Sequence, residues 1–245
     1  MAKEQSRMNS FVLSLRMLRR EWRAGELRVL AAALVIAVAS VTSVGFFTDR
    51  VGRALSQQAN MLLGADLALI SDHPLDAGFE REALRRSLRT AHTLSFPSMV
   101  LHGERAQLAE IKAVSRNYPL RGELRVAQRP FSPDRASSEI PEAGTAWLDE
   151  RLFEQLEMAS GAGLEVGTSH LAVSAVLTQE PDRAGVLFNI APRLLMNIED
   201  IPATGLIQEG SRASYRLLVA GEVGMVEAFR AWAATRLKRG ERLEG

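Results

Sequence analysis

The residues of this chain that could do chemistry are few, and their spacing builds no catalytic or metal site. The four histidines, His73, His92, His102 and His170, lack the i, i+4 pairing and the HExxH pattern of zinc enzymes. Cysteine is absent, which removes thiolate ligands, cysteine nucleophiles and disulfides together. No GxSxG elbow, Walker A loop or GxGxxG fingerprint occurs. We therefore predict no catalytic residue, no metal ligand and no cofactor-binding residue.

Adjacent acids and two polar turns are the remaining candidates. Asp149–Glu150 and Glu199–Asp200 are sequence neighbours, which point in different directions on a helix, so we interpret both pairs as solvated helix faces. Asp182 and Arg183, and the turn Gly210-Ser211-Arg212, are expected to provide either a structural ion pair or a partner contact. Ordinary turn chemistry is the alternative for both.

The elements that must hold these residues begin with a long apolar stretch. Val29 to Phe47 are nineteen uncharged residues, and a helix of that length spans about 28 Å, close to the ~30 Å core of a bilayer. The 28 residues before it carry seven Lys or Arg and three Glu, and short basic flanks stay in the cytoplasm. We expect a single-pass protein of the bacterial inner membrane, with a cytoplasmic N-terminus and a periplasmic domain. A cleaved signal peptide is the alternative, because Ala37-Val38-Ala39 before Ser40 has the form of a cleavage site.

The charge distribution argues against a nucleic-acid partner. The chain has 30 Lys and Arg against 29 Asp and Glu, but the residues after position 28 carry 23 basic and 26 acidic side chains. The external part is thus mildly acidic and has no basic stripe of the kind that binds nucleic acid.

Apolar periodicity and turn residues divide the chain into six segments of an α+β protein. These are a cytoplasmic basic amphipathic helix at 1–28, the transmembrane helix at 29–47, a helical stalk at 48–64, a first periplasmic subdomain at 65–127, a proline-rich linker at 128–144 and a second periplasmic subdomain at 145–245. Within the two α+β subdomains, strands are predicted at 65–70, 92–101, 106–114, 164–166, 171–178 and 214–220, and helices at 79–88, 146–158, 189–201 and 224–239.

Several short segments of the sequence resemble one protein family. They are WRAGELR at 22–28, LLGADLALISDHPL at 62–75, KAVSRNYPLRGEL at 112–124, GTAWLDERL at 144–152 and APRLLMNIEDIPATGLIQEGSRASYRLLVAG at 191–221. They are similar to FtsX-like ABC-transporter permeases, and within these to predicted permeases of the YbbP type with a MacB-like periplasmic core domain. The segments most specific for this family contain the residues expected to form a structural or partner-contact motif: Tyr118, Pro119, Leu120, Arg121, Gly122, Gly210, Ser211 and Arg212.

The resemblance implies the N-terminal part of a permease subunit without catalysis of its own. Such a subunit is a dimer or pseudo-dimer, and a separate cytoplasmic ABC ATPase binds the ATP that drives periplasmic movement, called mechanotransmission. The resemblance also implies hydrophobic or lipid-linked substrates, contact with membrane lipid and a periplasmic esterase-type partner. These permeases carry further spans, whereas no second apolar run precedes Gly245, so we expect a fragment or a split gene product.

Two other classes of protein remain open. The first is a free-standing single-span protein whose periplasmic domain binds a ligand or a partner. The second is an anchored periplasmic hydrolase, which the absence of a nucleophile or metal pattern disfavours.

Overall fold

The computed structural model describes residues 25–159, 161–183, 191–208 and 210–245. The predicted amphipathic helix at 1–28 lies almost wholly outside the described residues. The described helices are α1 (Glu26–Leu63), α2 (Ala77–Arg85), α3 (Glu150–Gln155), α4 (Ile201–Thr204) and α5 (Val223–Ala234), with 3₁₀ turns at Pro181–Arg183 and Ile198–Asp200. The strands are β1 (Leu67–Ser71), β2 (Arg89–His102), β3 (Arg105–Val114), β4 (Leu124–Ala127), β5 (Arg135–Ser137), β6 (Thr145–Asp149), β7 (Gly163–Val166), β8 (Ser169–Gln179), β9 (Arg193–Asn197), β10 (Ser214–Ala220) and β11 (Arg242–Glu244).

Helix α1 contains the predicted apolar span. Within the described residues, Arg28–Gly52 is the one stretch long and apolar enough to cross a membrane, with a mean hydropathy of 2.3. Its apolar side chains are exposed, which suits a surface that lipid covers. The helix continues to Leu63, and Gly64 follows with a φ of 71°, the left-handed conformation that commonly ends a helix. The prediction of an apolar helix over 29–47 is confirmed, and so is its end at Gly64.

A second unit, from Gln57 to Gly245, contains all eleven strands of the described residues. The strand order is β11-β1-β10-β2-β3-β9-β6-β8-β4-β5, and β7 pairs with both β2 and β8. The pairings of β2, β3, β9, β6, β8 and β7 therefore close a ring of six strands. The remaining strands extend from this ring as two open wings.

Each part of the unit has its own apolar core. The ring encloses a cluster that includes Phe96, Ile111, Leu148 and Leu164. On the wing made by β1 and β10, helices α2 and α5 cover one face, and the ring of Phe79 contacts the ring of Trp232 edge-on at 5.8 Å. The domain is thus an α+β fold, as the sequence predicts.

Strands from the two predicted subdomains are interleaved in one sheet. Strand β3, from the first segment, pairs in parallel with β9, from the second, and β10 lies between β1 and β2. The linker predicted at 128–144 contains the short edge strand β5. Strands from before and after this stretch therefore pair with each other at several places in one sheet, and the proposed division of the domain there stays a prediction.

Two predicted helices are wrong, and both errors have the same cause. The helix predicted at 146–158 is strand β6 followed by the short helix α3, and the one predicted at 189–201 is strand β9 followed by a 3₁₀ turn; residues 184–190 lie outside the described residues. In β9, Leu194, Leu195 and Met196 are all fully buried, because the strand lies between two others with both faces covered. The sequence of such a strand is a continuous apolar run, and periodicity does not distinguish this run from a buried helix.

Candidate functional site at the end of helix α1

The predicted motif Tyr118–Gly122 lies against the point where the chain leaves α1. The backbone N–H groups of Leu120 and Arg121 donate to the Gly64 carbonyl oxygen at 3.0 and 2.9 Å. The carbonyl at the helix end therefore has two acceptor bonds to a segment more than fifty residues further along the chain, which satisfies a group that helix termini leave open.

Asp66 organises the contacts at this point. Its carboxylate accepts two hydrogen bonds from the Arg121 guanidinium, at 2.8 and 2.6 Å, and one from the Gly221 N–H at 3.0 Å. The Asn60 side-chain amide, in the last turn of α1, donates to the same carboxylate at 3.0 Å. Asn60, Gly64, Asp66, Arg121 and Gly221, called the junction below, thus connect the end of α1 to strand β10.

The pKa of Asp66 reflects these contacts. Partial burial raises the pKa of the carboxyl, but the hydrogen bonds from Arg121 and Gly221 and the charge of Arg121 outweigh it and hold the pKa below its ordinary value. Asp66 is therefore ionised at neutral pH, and the junction contains a charged, two-bond pair with fixed geometry.

Gly122 brings the motif into close contact with a second element. Its φ is 76°, and a Cβ added to it would lie 2.9 Å from Pro181 Cγ and 3.4 Å from the Met61 carbonyl oxygen. Only glycine fits there without strain, because both the conformation and the space exclude a side chain. The motif therefore lies between the last turn of α1 and the 3₁₀ turn that begins at Pro181.

A buried charge cluster lies behind the motif. The Lys112 ammonium donates to Glu180 Oε1 at 2.7 Å, to Asp182 Oδ1 at 2.6 Å and to the Tyr118 hydroxyl at 2.8 Å. The same hydroxyl lies 2.9 Å from Glu180 Oε1 and 2.8 Å from Asp182 Oδ1. Side-chain exposure is 2% for Lys112, 0% for Glu180 and 7% for Asp182, so each charge depends on its partners for compensation.

The cluster shifts the pKa of two of its members. Burial by itself raises the pKa of Asp182, yet the charge of Lys112 and the hydrogen bonds from Lys112 and Tyr118 lower it to about 2. Burial and the two neighbouring carboxylates raise the pKa of the Tyr118 phenol well above its ordinary value. Tyr118 therefore stays a neutral hydrogen-bonding group that connects the motif to the cluster.

Asp182 and Arg183, expected to provide an ion pair or a partner contact, each form an ion pair within the domain. Asp182 pairs with Lys112, and Arg183 donates to Asp149 Oδ2 at 2.7 Å. The adjacent-acid pattern predicted a solvated Asp149, and this is wrong, because the structure buries Asp149. It is the N-cap of α3, where its Oδ1 accepts from the Leu152 N–H at 2.8 Å, because the chain changes there from strand to helix.

The second predicted motif, Gly210-Ser211-Arg212, lies elsewhere on the domain. Its turn is closed by the Ser211 N–H, which donates to the Gln208 carbonyl at 3.0 Å. It borders an open groove of about 1070 Å³, whereas Tyr118–Gly122 borders another cavity of about 600 Å³ with no lining residue in common. The structure does not bring the two motifs together.

The arrangement at the junction is suited to holding the end of α1 in place. Its charged groups bind one another, and among the described residues no group of three or more His, Asp or Glu side chains is placed to hold a metal ion. Sequence reasoning missed Asp66, Lys112 and Glu180 as site residues. One signal was available for Lys112, since a lysine between the apolar residues Ile111 and Ala113 at the end of a predicted strand must find a partner if it is buried.

A long apolar helix followed by an α+β domain fits a membrane protein with one folded domain in the described residues. Comparison with known proteins narrows this class. The chain is 34% identical over 226 residues to a protein of Escherichia coli strain K12 described as an uncharacterized ABC transporter permease, YbbP. This similarity confirms the resemblance to YbbP-type permeases that the short sequence segments indicated. The match covers 92% of this chain and 27% of the relative, so the chain spans about a quarter of that relative's length.

Family models and solved structures complete the comparison. No family model matches the chain. The extracellular domain of the noncanonical ABC-type transporter YknZ from Gram-positive bacteria is 8% identical, with a TM-score of 0.46 over 73% of this chain and 100% of that one. The periplasmic region of MacB from Actinobacillus actinomycetemcomitans is 13% identical, with a TM-score of 0.46 over 75% of this chain and 91% of that one.

Proposed function

We propose that the chain is the N-terminal part of a permease subunit of an inner-membrane ABC transporter. In this proposal α1 crosses the membrane with its N-terminus in the cytoplasm, and the domain lies in the periplasm. A separate cytoplasmic ABC ATPase hydrolyses ATP, the subunit is a dimer or pseudo-dimer, and the domain moves in response and handles hydrophobic or lipid-linked compounds. The subunit itself catalyses no reaction, and a periplasmic esterase-type protein is a further partner.

The junction is the observation that carries this proposal. A helix that served only as a tether would need no fixed contact with the domain it anchors. Here Asn60, in the last turn of α1, donates to the Asp66 carboxylate, and the same carboxylate accepts hydrogen bonds from Arg121 and Gly221. A movement of the helix end is therefore passed to the sheet through groups whose geometry is fixed.

The other end of the domain supports the same proposal. Strand β11 runs antiparallel to β1, with Ala68 opposite Glu244, and returns the chain to the junction. A Cβ placed on Gly245 would lie 2.7 Å from the Asp66 carbonyl oxygen. Gly245 therefore lies beside the point where the chain leaves α1.

Copurification tests the partner in this proposal. The full-length protein, tagged at its N-terminus and extracted in mild detergent, should bring down an ABC ATPase of the same organism. A variant that lacks residues 1–24 but keeps the span is the control, because it shows whether the residues before the span make the contacts with the ATPase. Recovery of the full-length protein with no ATPase would contradict the proposal.

Reporter fusions test the orientation. A reporter that is active only in the periplasm should work when fused after Gly245 and fail when fused before Phe11. Mature protein that begins at Ser40 would instead identify a cleaved signal peptide and refute the membrane anchor.

The large groove favours a second candidate function. The groove of about 1070 Å³ beside Gly210 to Arg212 could hold a ligand in a free-standing single-span protein. That function requires no ATPase, so the copurification experiment distinguishes the two candidates.

A further inference from the structure

A smaller cavity opens beside the buried charge cluster and continues into the large groove. It has a volume of about 400 Å³, and its charged lining comes from Glu110, Lys112, Asp182, Arg193 and Arg216. Ser95, Pro97 and Ser214 line both this cavity and the groove, so the two spaces adjoin.

Two arginines that line the cavity have donors left over. Arg193 is 5% exposed, and its Nε and Nη1 lie 3.1 Å from Glu180 and 3.2 Å from Glu110 without hydrogen-bond geometry. The buried Nε of Arg216 also has no hydrogen-bond partner, and its nearest ion contact is Asp182 Oδ2, 3.9 Å from Nη1. Buried N–H donors without acceptors are costly, and an anion entering the cavity would supply acceptors.

The carboxylates balance the cations in number, but they are placed unevenly: Glu180 and Glu110 lie within 3.2 Å of Arg193, whereas Arg216 has no carboxylate closer than 3.9 Å among the described residues. Both oxygens of Asp182 are hydrogen-bonded to Lys112, and Glu180 Oε1 is bonded to the same ammonium. Arg216 is therefore the cation of this cavity whose guanidinium is least compensated, and its planar fork suits a carboxylate or a phosphate.

The adjoining groove is suited to an apolar group. Its lining includes Pro74, Pro97, Ile207 and Tyr215, and Arg212 lies at the turn that borders it. We propose that the cavity binds the carboxylate or phosphate group of an amphiphilic ligand through Arg216 and Arg193, and that the apolar part of the ligand lies in the groove. The inference does not depend on an ATPase and can fail or hold independently of the proposed function.

Binding of short amphiphiles to the full chain in nanodiscs tests the proposal, with empty nanodiscs as the blank. Octanoate and octyl phosphate are the probes, octanol lacks the charge, and acetate and inorganic phosphate lack the chain. Calorimetric titration should give a Kd for octanoate or octyl phosphate at least tenfold lower than for octanol, acetate or inorganic phosphate. Equal affinity for octanol would refute the anion site, and equal affinity for acetate or inorganic phosphate would refute the role of the groove.

Substitutions locate the site. R216Q should weaken octanoate binding at least tenfold, whereas R216K, which keeps the charge, should weaken it less. R125Q is the matched control, because Arg125 lies on the same sheet with a similar exposed fraction, 31% against 27%, but away from the cavity. Thermal unfolding of each variant shows whether it is folded. Unchanged octanoate binding by folded R216Q, or equal weakening by R125Q, would overturn the proposal.

Discussion

A double-mutant cycle on Asp66 and Arg121 measures how firmly the end of α1 is held. The cycle compares Asp66→Ala, Arg121→Ala and the double variant with the unchanged chain. Arg121→Ala removes two donors but leaves the carboxylate with the Asn60 amide and the Gly221 N–H, whereas Asp66→Ala removes the acceptor of all these donors. Asp66→Ala should therefore be the more destabilising single change.

The geometry sets the size of the coupling. Two charged hydrogen bonds at 2.8 and 2.6 Å join side chains that are 13% and 36% exposed, which is intermediate between a surface pair and a buried one. Surface pairs couple by about 0–1 kcal/mol, and loss of one partner of a buried pair costs about 3–5 kcal/mol. We expect a coupling free energy of about 1–2 kcal/mol, with Asp66→Ala alone costing about 3 kcal/mol.

Urea unfolding of the full chain in detergent micelles provides the assay. Trp147 and Trp232 lie in the domain and report its unfolding by fluorescence. The pair of Arg125 and Asp134 is a matched control, because it also has two charged hydrogen bonds but both side chains are about a third exposed. Its coupling should be smaller than that of Asp66 and Arg121, because solvent screens an exposed pair.

Two results would refute the reasoning. One is a coupling between Asp66 and Arg121 no larger than that of the control pair, which would mean that solvent screens the junction as fully as the surface. The other is an Asp66→Ala variant as stable as the unchanged chain, which would mean that the contacts of Asn60 and Gly221 are replaced by water without loss.

Three further predictions concern the motif and the cluster behind it. Lys112→Met should lower the free energy of unfolding by about 3–5 kcal/mol, because it leaves two buried carboxylates without their main partner; Lys238→Met, on the surface, should change it by less than about 0.5 kcal/mol in the same urea assay. Gly122→Ala should cost about 1–3 kcal/mol, since φ is positive and Pro181 occupies the space of the new methyl group, and a full loss of stability or none would contradict this in the same measurement. The pKa of Asp182 is about 2 in the folded chain, below its ordinary 3.8, so the unfolded chain takes up the proton first as the pH falls. The stabilisation from this group is present above about pH 4 and about 2 kcal/mol of it should be lost between pH 4 and pH 2, measured by urea midpoints at several pH values; flat midpoints over that range would contradict it.

Sequence reasoning found strand β8, which has one buried and one open face over most of its length. In β8 the apolar and small or polar residues alternate from Leu171 to Thr178, and the structure buries Leu171 and Val173 while His170 and Ala172 are exposed. Such alternation belongs to a strand alone. The same reasoning from periodicity failed for β6 and β9, which lie inside the sheet with both faces covered. It also missed β4 and β11, which are too short to show a period.

The candidate site was found only in part. The segment from Tyr118 to Gly122 was singled out by its resemblance to the permease family, and the structure places it at the end of α1. Its partners Asp66 and Gly221 are far from it in sequence, and nothing local to either residue indicates the contact. Pairing of buried charges is decided by the register of β1, β3 and β10, which composition and periodicity do not contain.

Hydrogen exchange of the domain during the ATPase cycle tests the central claim most directly. Amide exchange over residues 57–245 is measured by mass spectrometry in the full-length complex with its ATPase, bound to ATP or to ADP. We predict a nucleotide-dependent difference in the unchanged protein, and its loss when two glycines are inserted between Arg53 and Ala54, a change that costs about 1 kcal/mol per glycine in the helix and leaves ATP hydrolysis intact. The same nucleotide-dependent difference in the glycine variant, or no difference in the unchanged protein, would contradict the account.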